Sequence, residues 1–134
     1  MSDIITIGVI GLGNAGTPIL NNLYKAKKYK LIAFDIDKNK LDDVPKDIIK
    51  ADSIKDLVEK CNAVLTCLPK PEHVLKAVDG ENGLLQNSPS GMIWIDTSTT
   101  DFKQTQELSN KAKTYGISML EATLTGGVHA LQNN

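Results

Sequence analysis

Short apolar runs alternate with polar or amphipathic stretches along the chain. The runs are rich in β-branched side chains, which is typical of strands buried on both faces of a parallel sheet. This pattern predicts six strands, at residues 4–10, 30–35, 48–51, 63–68, 92–96 and 117–121.

The stretches between these runs predict helices. After the first strand, Ile19, Leu20 and Leu23 fall on one helical face, and Pro18 is tolerated in the first turn. Further helices are predicted from a cap at Ser53 through residue 60, at 71–78, and at 101–115 with a cap at Thr99 or Thr100 and an end at Gly116; residues 37–46 form a loop or a short helix.

Strand and helix alternate through the whole chain. Such alternation predicts an α/β fold with a doubly wound, mainly parallel sheet and right-handed crossovers, in three α/β/α layers. A length of 134 residues fits one domain, spanning 1–134.

Composition narrows the possible functions. Fifteen Lys and Arg against sixteen Asp and Glu give a net charge of −1, which disfavours a nucleic-acid partner. No apolar run approaches the roughly 20 residues of a membrane span, and the polar start lacks a basic signal region. Cys61 and Cys67 have no metal-ligand spacing and are expected to be buried, reduced thiols of a cytoplasmic protein without a metal site.

The first strand runs directly into a glycine-rich loop, Gly11-Leu12-Gly13-Asn14-Ala15-Gly16, which opens the first helix. In the Rossmann fold this arrangement binds a dinucleotide. Gly11 permits the turn, Gly13 lets a pyrophosphate approach the backbone, and Gly16 lets helix and strand pack closely. The helix N-terminus offers free N–H groups to the phosphates.

Asp35 ends the second strand, 19 residues after Gly16. An acid at this position accepts hydrogen bonds from the adenosine ribose and repels a 2′-phosphate. We therefore expect NAD as the cofactor, with NADP less favoured. Lys38 and Lys40 are the nearest cations that could hold a 2′-phosphate.

Four stretches of the chain form a further pattern. They are residues 11–18 (GLGNAGTP), 67–69 (CLP), 95–99 (IDTST) and 121–128 (EATLTGGV). Together they resemble the β-hydroxyacid dehydrogenase family, which includes 3-hydroxyisobutyrate and 6-phosphogluconate dehydrogenases. Thr125 replaces the family's serine and Thr123 its proline, so the identity of the substrate stays open.

The resemblance implies further site residues. Leu68 and Pro69 would lie over the cofactor, and Thr99 would contact it near the nicotinamide. Thr125, Gly126 and Gly127 would hold the carboxylate of a small hydroxy-acid substrate through a hydroxyl and backbone N–H groups. His73 lies where some family members place a polar residue near the nicotinamide, but it is interpreted as an exposed residue of a surface helix.

The family's catalytic lysine belongs to a second, helical domain that also forms the dimer interface, and no residue of this chain matches it. The resemblance therefore implies an oxidoreductase acting on a short 3-hydroxy acid or its semialdehyde, as a homo-oligomer when complete. The 134 residues alone are expected to bind cofactor without catalysis. One alternative is a non-catalytic dinucleotide-sensing module; an imine or ketol-acid reductase is disfavoured by residues 95–99 and 125–127.

Overall fold

The computed structural model describes residues 3–122. Six strands lie in this range: β1 (Thr6–Ile10), β2 (Lys30–Phe34), β3 (Ile49–Lys50), β4 (Ala63–Thr66), β5 (Ile93–Asp96) and β6 (Ser118–Glu121). They form one sheet in the order β3-β2-β1-β4-β5-β6, and every pair of neighbouring strands is parallel. This order confirms the predicted doubly wound sheet.

Helices connect the strands on both faces of the sheet. Within the described range these are α1 (Gly16–Ala26), α2 (Ile54–Val58), α3 (Pro71–Asp79), α4 (Leu84–Asn87) and α5 (Phe102–Thr114), with a 3₁₀ helix at Lys38–Leu41. None of the helices within residues 3–122 combines the length and apolar composition that a membrane span requires.

Two apolar cores lie on opposite faces of the sheet, as three layers require. Successive strand residues point to opposite faces, so Val9 joins the core that contains Leu20 of α1. Its neighbour Ile10 joins the larger core, to which α2, α3, α4 and α5 contribute. Trp94, at the centre of β5, is fully buried in that larger core.

Two helix starts test the predicted caps. The Ser53 hydroxyl accepts a hydrogen bond from the Asp56 N–H at 3.0 Å, as predicted. The cap of α5 was predicted one or two residues too early: Asp101, rather than Thr99 or Thr100, accepts from the Gln104 N–H at 3.1 Å. A carboxylate also interacts favourably with the positive end of the helix dipole.

The sequence missed one helix but predicted the end of another correctly. The four residues of α4 are too few to show a helical period, and the sequence did not predict this helix. The end of α5 follows the prediction, because Gly116 adopts a positive φ of 75° and terminates the helix.

The first helix begins directly against the end of the first strand. A Cβ on Gly16 would overlap with the carbonyl oxygen of Gly11. Gly11 itself has a φ of 100°, which turns the chain sharply out of β1. These two glycines fix where the N-terminus of α1 lies.

Substitution of Gly16 by alanine should therefore destabilise the fold by about 1–3 kcal/mol, because backbone atoms must shift to admit the methyl group. Gly13→Ala is the matched control. A Cβ there meets no atom within 4 Å, so its free energy of unfolding should change by no more than about 0.5 kcal/mol. Urea unfolding followed by tryptophan fluorescence measures both, and equal losses in the two variants would contradict the packing described.

Candidate functional site

A cleft of about 1190 Å³ opens at the carboxyl ends of the central strands. It lies where the strand order reverses, between β1 and β4. Open α/β sheets bind their ligands at this switch point. The volume exceeds the roughly 300–1,000 Å³ of ordinary small-molecule pockets, which suits an extended ligand built of two nucleotides.

The glycine loop forms the floor of the cleft. Gly13 faces open space, so a ligand can approach its backbone closely. Ala15 is the N-cap of α1, and no side chain of the described residues caps this helix. The Thr17 N–H donates to the Gly13 carbonyl oxygen at 3.1 Å, and Pro18 has no N–H. Within the described residues, the N–H groups of Ala15 and Gly16 and the positive end of the helix dipole therefore remain available to an anion.

Asp35 joins the end of β2 to the glycine loop. Its Oδ2 accepts a hydrogen bond from the Leu12 N–H at 2.7 Å, and its Oδ1 accepts from the Asp37 N–H at 2.8 Å. The residue is only 8% exposed but lines the cleft. A carboxylate has about four acceptor positions, so Asp35 can accept further hydrogen bonds from a ligand hydroxyl.

The ends of β4 and β5 form the opposite side of the cleft. Leu68, Pro69 and Thr99 all line it. The Leu68 N–H donates to the Ser98 hydroxyl oxygen at 2.8 Å, which couples the two strand ends. Thr99 and Leu68 are thus held on one surface although they lie far apart in sequence.

All the predicted cofactor residues except Leu12 line this cleft. The Leu12 side chain is buried in the core beside α1, at 4% exposure, and its N–H is occupied by Asp35. The predicted substrate residues Thr125, Gly126 and Gly127 lie outside the described residues. The cleft is also lined by residues to which the sequence assigned no contact with the cofactor, including Phe34, Ile36, Asp37, Ser53, Lys76, Thr97 and Ser98.

The two lysines near Asp35 differ in their surroundings. Lys38 Nζ donates to the Asp52 carbonyl oxygen at 3.1 Å and lies 5.2 Å from the centroid of the Phe34 ring. Lys40 lines the cleft. Lys40 is therefore the lysine of this pair that faces a ligand. Sequence position alone could not separate the two.

His73 and one of the two cysteines also line the cleft. His73 is exposed in the first turn of α3, as predicted, and it also faces the cleft. Both thiols are free, and Cys61 is buried as expected, whereas Cys67 is half-buried and lines the cleft. Burial raises the pKa of Cys61 to about 12 and also raises the pKa of Cys67. Both remain weakly nucleophilic thiols at neutral pH.

Comparison with known proteins identifies the family. The model of the NAD binding domain of 6-phosphogluconate dehydrogenase matches residues 6–134. Mitochondrial 3-hydroxyisobutyrate dehydrogenase of Rattus norvegicus is 33% identical over 132 residues, which cover 95% of this chain and 38% of that protein. The NAD-dependent L-serine dehydrogenase of Pseudomonas aeruginosa is 32% identical over 122 residues, covering 90% of this chain and 41% of that protein.

A solved structure agrees with these relatives. Mycobacterium tuberculosis 3-hydroxyisobutyrate dehydrogenase with L-serine superposes with a TM-score of 0.87 at 26% identity, covering 98% of this chain and 44% of that one. This chain thus spans about two-fifths of the length of the curated relatives it matches. It belongs to the family of the NAD binding domain of 6-phosphogluconate dehydrogenase and is similar to the corresponding part of 3-hydroxyisobutyrate dehydrogenases.

Proposed function

We propose that this domain binds NAD across the cleft and presents it for hydride exchange with a short 3-hydroxy acid in the complete protein. The observation that carries the proposal is one continuous surface. It joins the open backbone at Gly13, the carboxylate of Asp35 and the ends of β4 and β5. The open backbone suits a diphosphate, the carboxylate suits the hydroxyls of an adenosine ribose, and the two strand ends leave space for a second nucleotide.

The diphosphate would lie over the glycine loop. Gly13 leaves room for its oxygens, and the N–H groups of Ala15 and Gly16 at the start of α1 would donate to them. A side chain at Gly13 would occupy this room. The loop contributes binding and orientation, while the bound nicotinamide supplies the hydride chemistry.

The charges beside Asp35 favour NAD over NADP. A 2′-phosphate near this carboxylate would be repelled, and the Asp37 carboxylate also faces the cleft. Lys38 is turned onto the Asp52 carbonyl. This leaves Lys40, of the two lysines that follow Asp35, to counter two carboxylates.

The names of the relatives support the substrate class. 3-Hydroxyisobutyrate and L-serine are both short carboxylic acids with a hydroxyl group on the third carbon. We propose that Thr125, Gly126 and Gly127 bind the carboxylate of such a substrate. Cytoplasmic location and homo-oligomerisation of the complete protein remain predictions, and some relatives are named as mitochondrial.

Catalysis needs a proton donor beside the substrate as well as the cofactor. No residue of this chain is assigned that role. We therefore propose that residues 1–134 alone bind NAD but do not turn over a hydroxy acid. Substrate-dependent NADH formation by these residues would contradict this part of the proposal.

Calorimetric titration with NADH and NADPH tests the binding function. The protein should bind NADH more tightly than NADPH. Asp35→Asn should reduce the ratio of the two affinities by about tenfold, which corresponds to the free energy of one hydrogen bond or one charge repulsion. The ratio of the two affinities is the readout. The amide introduced by Asp35→Asn has one acceptor oxygen for the two backbone N–H groups, and a loop disturbed in this way would weaken both ligands alike.

Asp43→Asn is the matched control for this titration. It removes the same charge from an exposed position that does not line the cleft, so the preference should stay as in the unaltered protein. Tighter binding of NADPH by the unaltered protein, or an unchanged ratio in Asp35→Asn, would refute the assignment of NAD through Asp35.

A further inference from the structure

A chain of buried hydrogen bonds joins β4 to β5 beneath the cleft. Trp94 Nε1 donates to Thr66 Oγ1 at 2.8 Å, and Thr66 Oγ1 donates to Asp96 Oδ1 at 3.0 Å. The same carboxylate oxygen accepts from the Ser98 N–H at 3.0 Å. Trp94 and Thr66 are completely buried, and Asp96 is 1% exposed.

The donors and acceptors in this chain allow one orientation of the Thr66 hydroxyl. An indole N–H only donates, so Thr66 accepts from Trp94 and must direct its own hydrogen to Asp96. Breaking any one of these bonds would leave a buried polar group unpaired, which is costly in free energy, so the bonds are expected to be kept or lost together. The side chains of Thr66 and Asp96 are therefore locked together.

The chain of bonds continues to the surface of the cleft. The Thr97 hydroxyl donates to the Thr66 carbonyl oxygen at 2.9 Å. The Ser98 hydroxyl accepts from the Leu68 N–H at 2.8 Å. These three residues, Thr97, Ser98 and Leu68, line the cleft. The buried residues Thr66, Trp94 and Asp96 do not.

Asp35, at the end of β2, marks the side of the cleft where the adenosine half of a dinucleotide lies. The other half must then lie over the ends of β4 and β5. We propose that Thr66, Trp94 and Asp96 are positioning residues that hold Leu68 and the 97–99 segment against the nicotinamide half. This inference rests on the NAD binding proposed above and assigns the three residues no contact with the ligand.

Comparing the affinities for NADH and ADP separates an effect on positioning from a general loss of stability. ADP shares the adenosine and both phosphates with NADH but lacks the nicotinamide half. Thr66→Val keeps the shape of the side chain and removes the hydroxyl. We expect NADH affinity to fall about tenfold, as for the loss of one hydrogen bond, and ADP affinity to change less than about twofold. Thr66→Ser, which keeps the hydroxyl, should restore NADH affinity.

Thr105→Val is the matched control. Thr105 is a buried threonine of α5 whose hydroxyl bonds to that of Thr100 at 2.6 Å, and neither residue lines the cleft. Its loss should leave the NADH-to-ADP affinity ratio unchanged. The positioning role would be overturned if Thr66→Val lowered the affinities for NADH and ADP equally, or lowered neither. Failure of the unaltered protein to bind NADH would instead refute the proposed function.

A measurement on the unaltered protein covers the case in which Thr66→Val does not fold. Trp94 is the one tryptophan of the chain, so its indole N–H gives a single, assignable NMR signal. Saturating NADH should slow the exchange of this hydrogen with solvent more than saturating ADP does, relative to the Ile32 amide in the same core. Equal relative protection by the two ligands would contradict the coupling.

Discussion

The close approach of Gly16 to the carbonyl oxygen of Gly11 sets the geometry on which the rest of the site depends. It places the N-terminus of α1 directly at the carboxyl ends of β1 and β4, where the sheet order reverses. Only the absence of a side chain at residue 16 allows this contact. The positive end of the helix dipole, with the N–H groups of Ala15 and Gly16, thereby lies at the cleft.

Two sets of polar contacts then fix the sides of the cleft. Asp35 holds the glycine loop to the end of β2 through the Leu12 and Asp37 N–H groups. On the other side, Thr66 and Asp96 hold the ends of β4 and β5. Both sets use buried carboxylates that accept backbone N–H groups, and each holds the residues on its own side of the cleft in place. Such preorganisation lowers the ordering cost of binding.

Sequence patterns predicted the strands, their alternation with helices and the glycine loop, because each of these depends on local composition. They could not show that Leu12 turns into the core or that Lys38 turns away from the cleft. Both outcomes depend on contacts with distant residues, namely α1 for Leu12 and the Asp52 carbonyl for Lys38. The role of Thr66 was equally hidden, since its partners Trp94 and Asp96 become neighbours only when β4 and β5 pair.

Changes in backbone amide chemical shifts on titration with NADH test most directly whether the carboxyl ends of the strands bind the dinucleotide. We expect the largest changes at Gly13, Ala15, Asp35 and Leu68, which belong to different parts of the fold but line one cleft. No shifts at saturating NADH, or largest shifts near Asn62 and Met92 at the amino ends of β4 and β5, would contradict it.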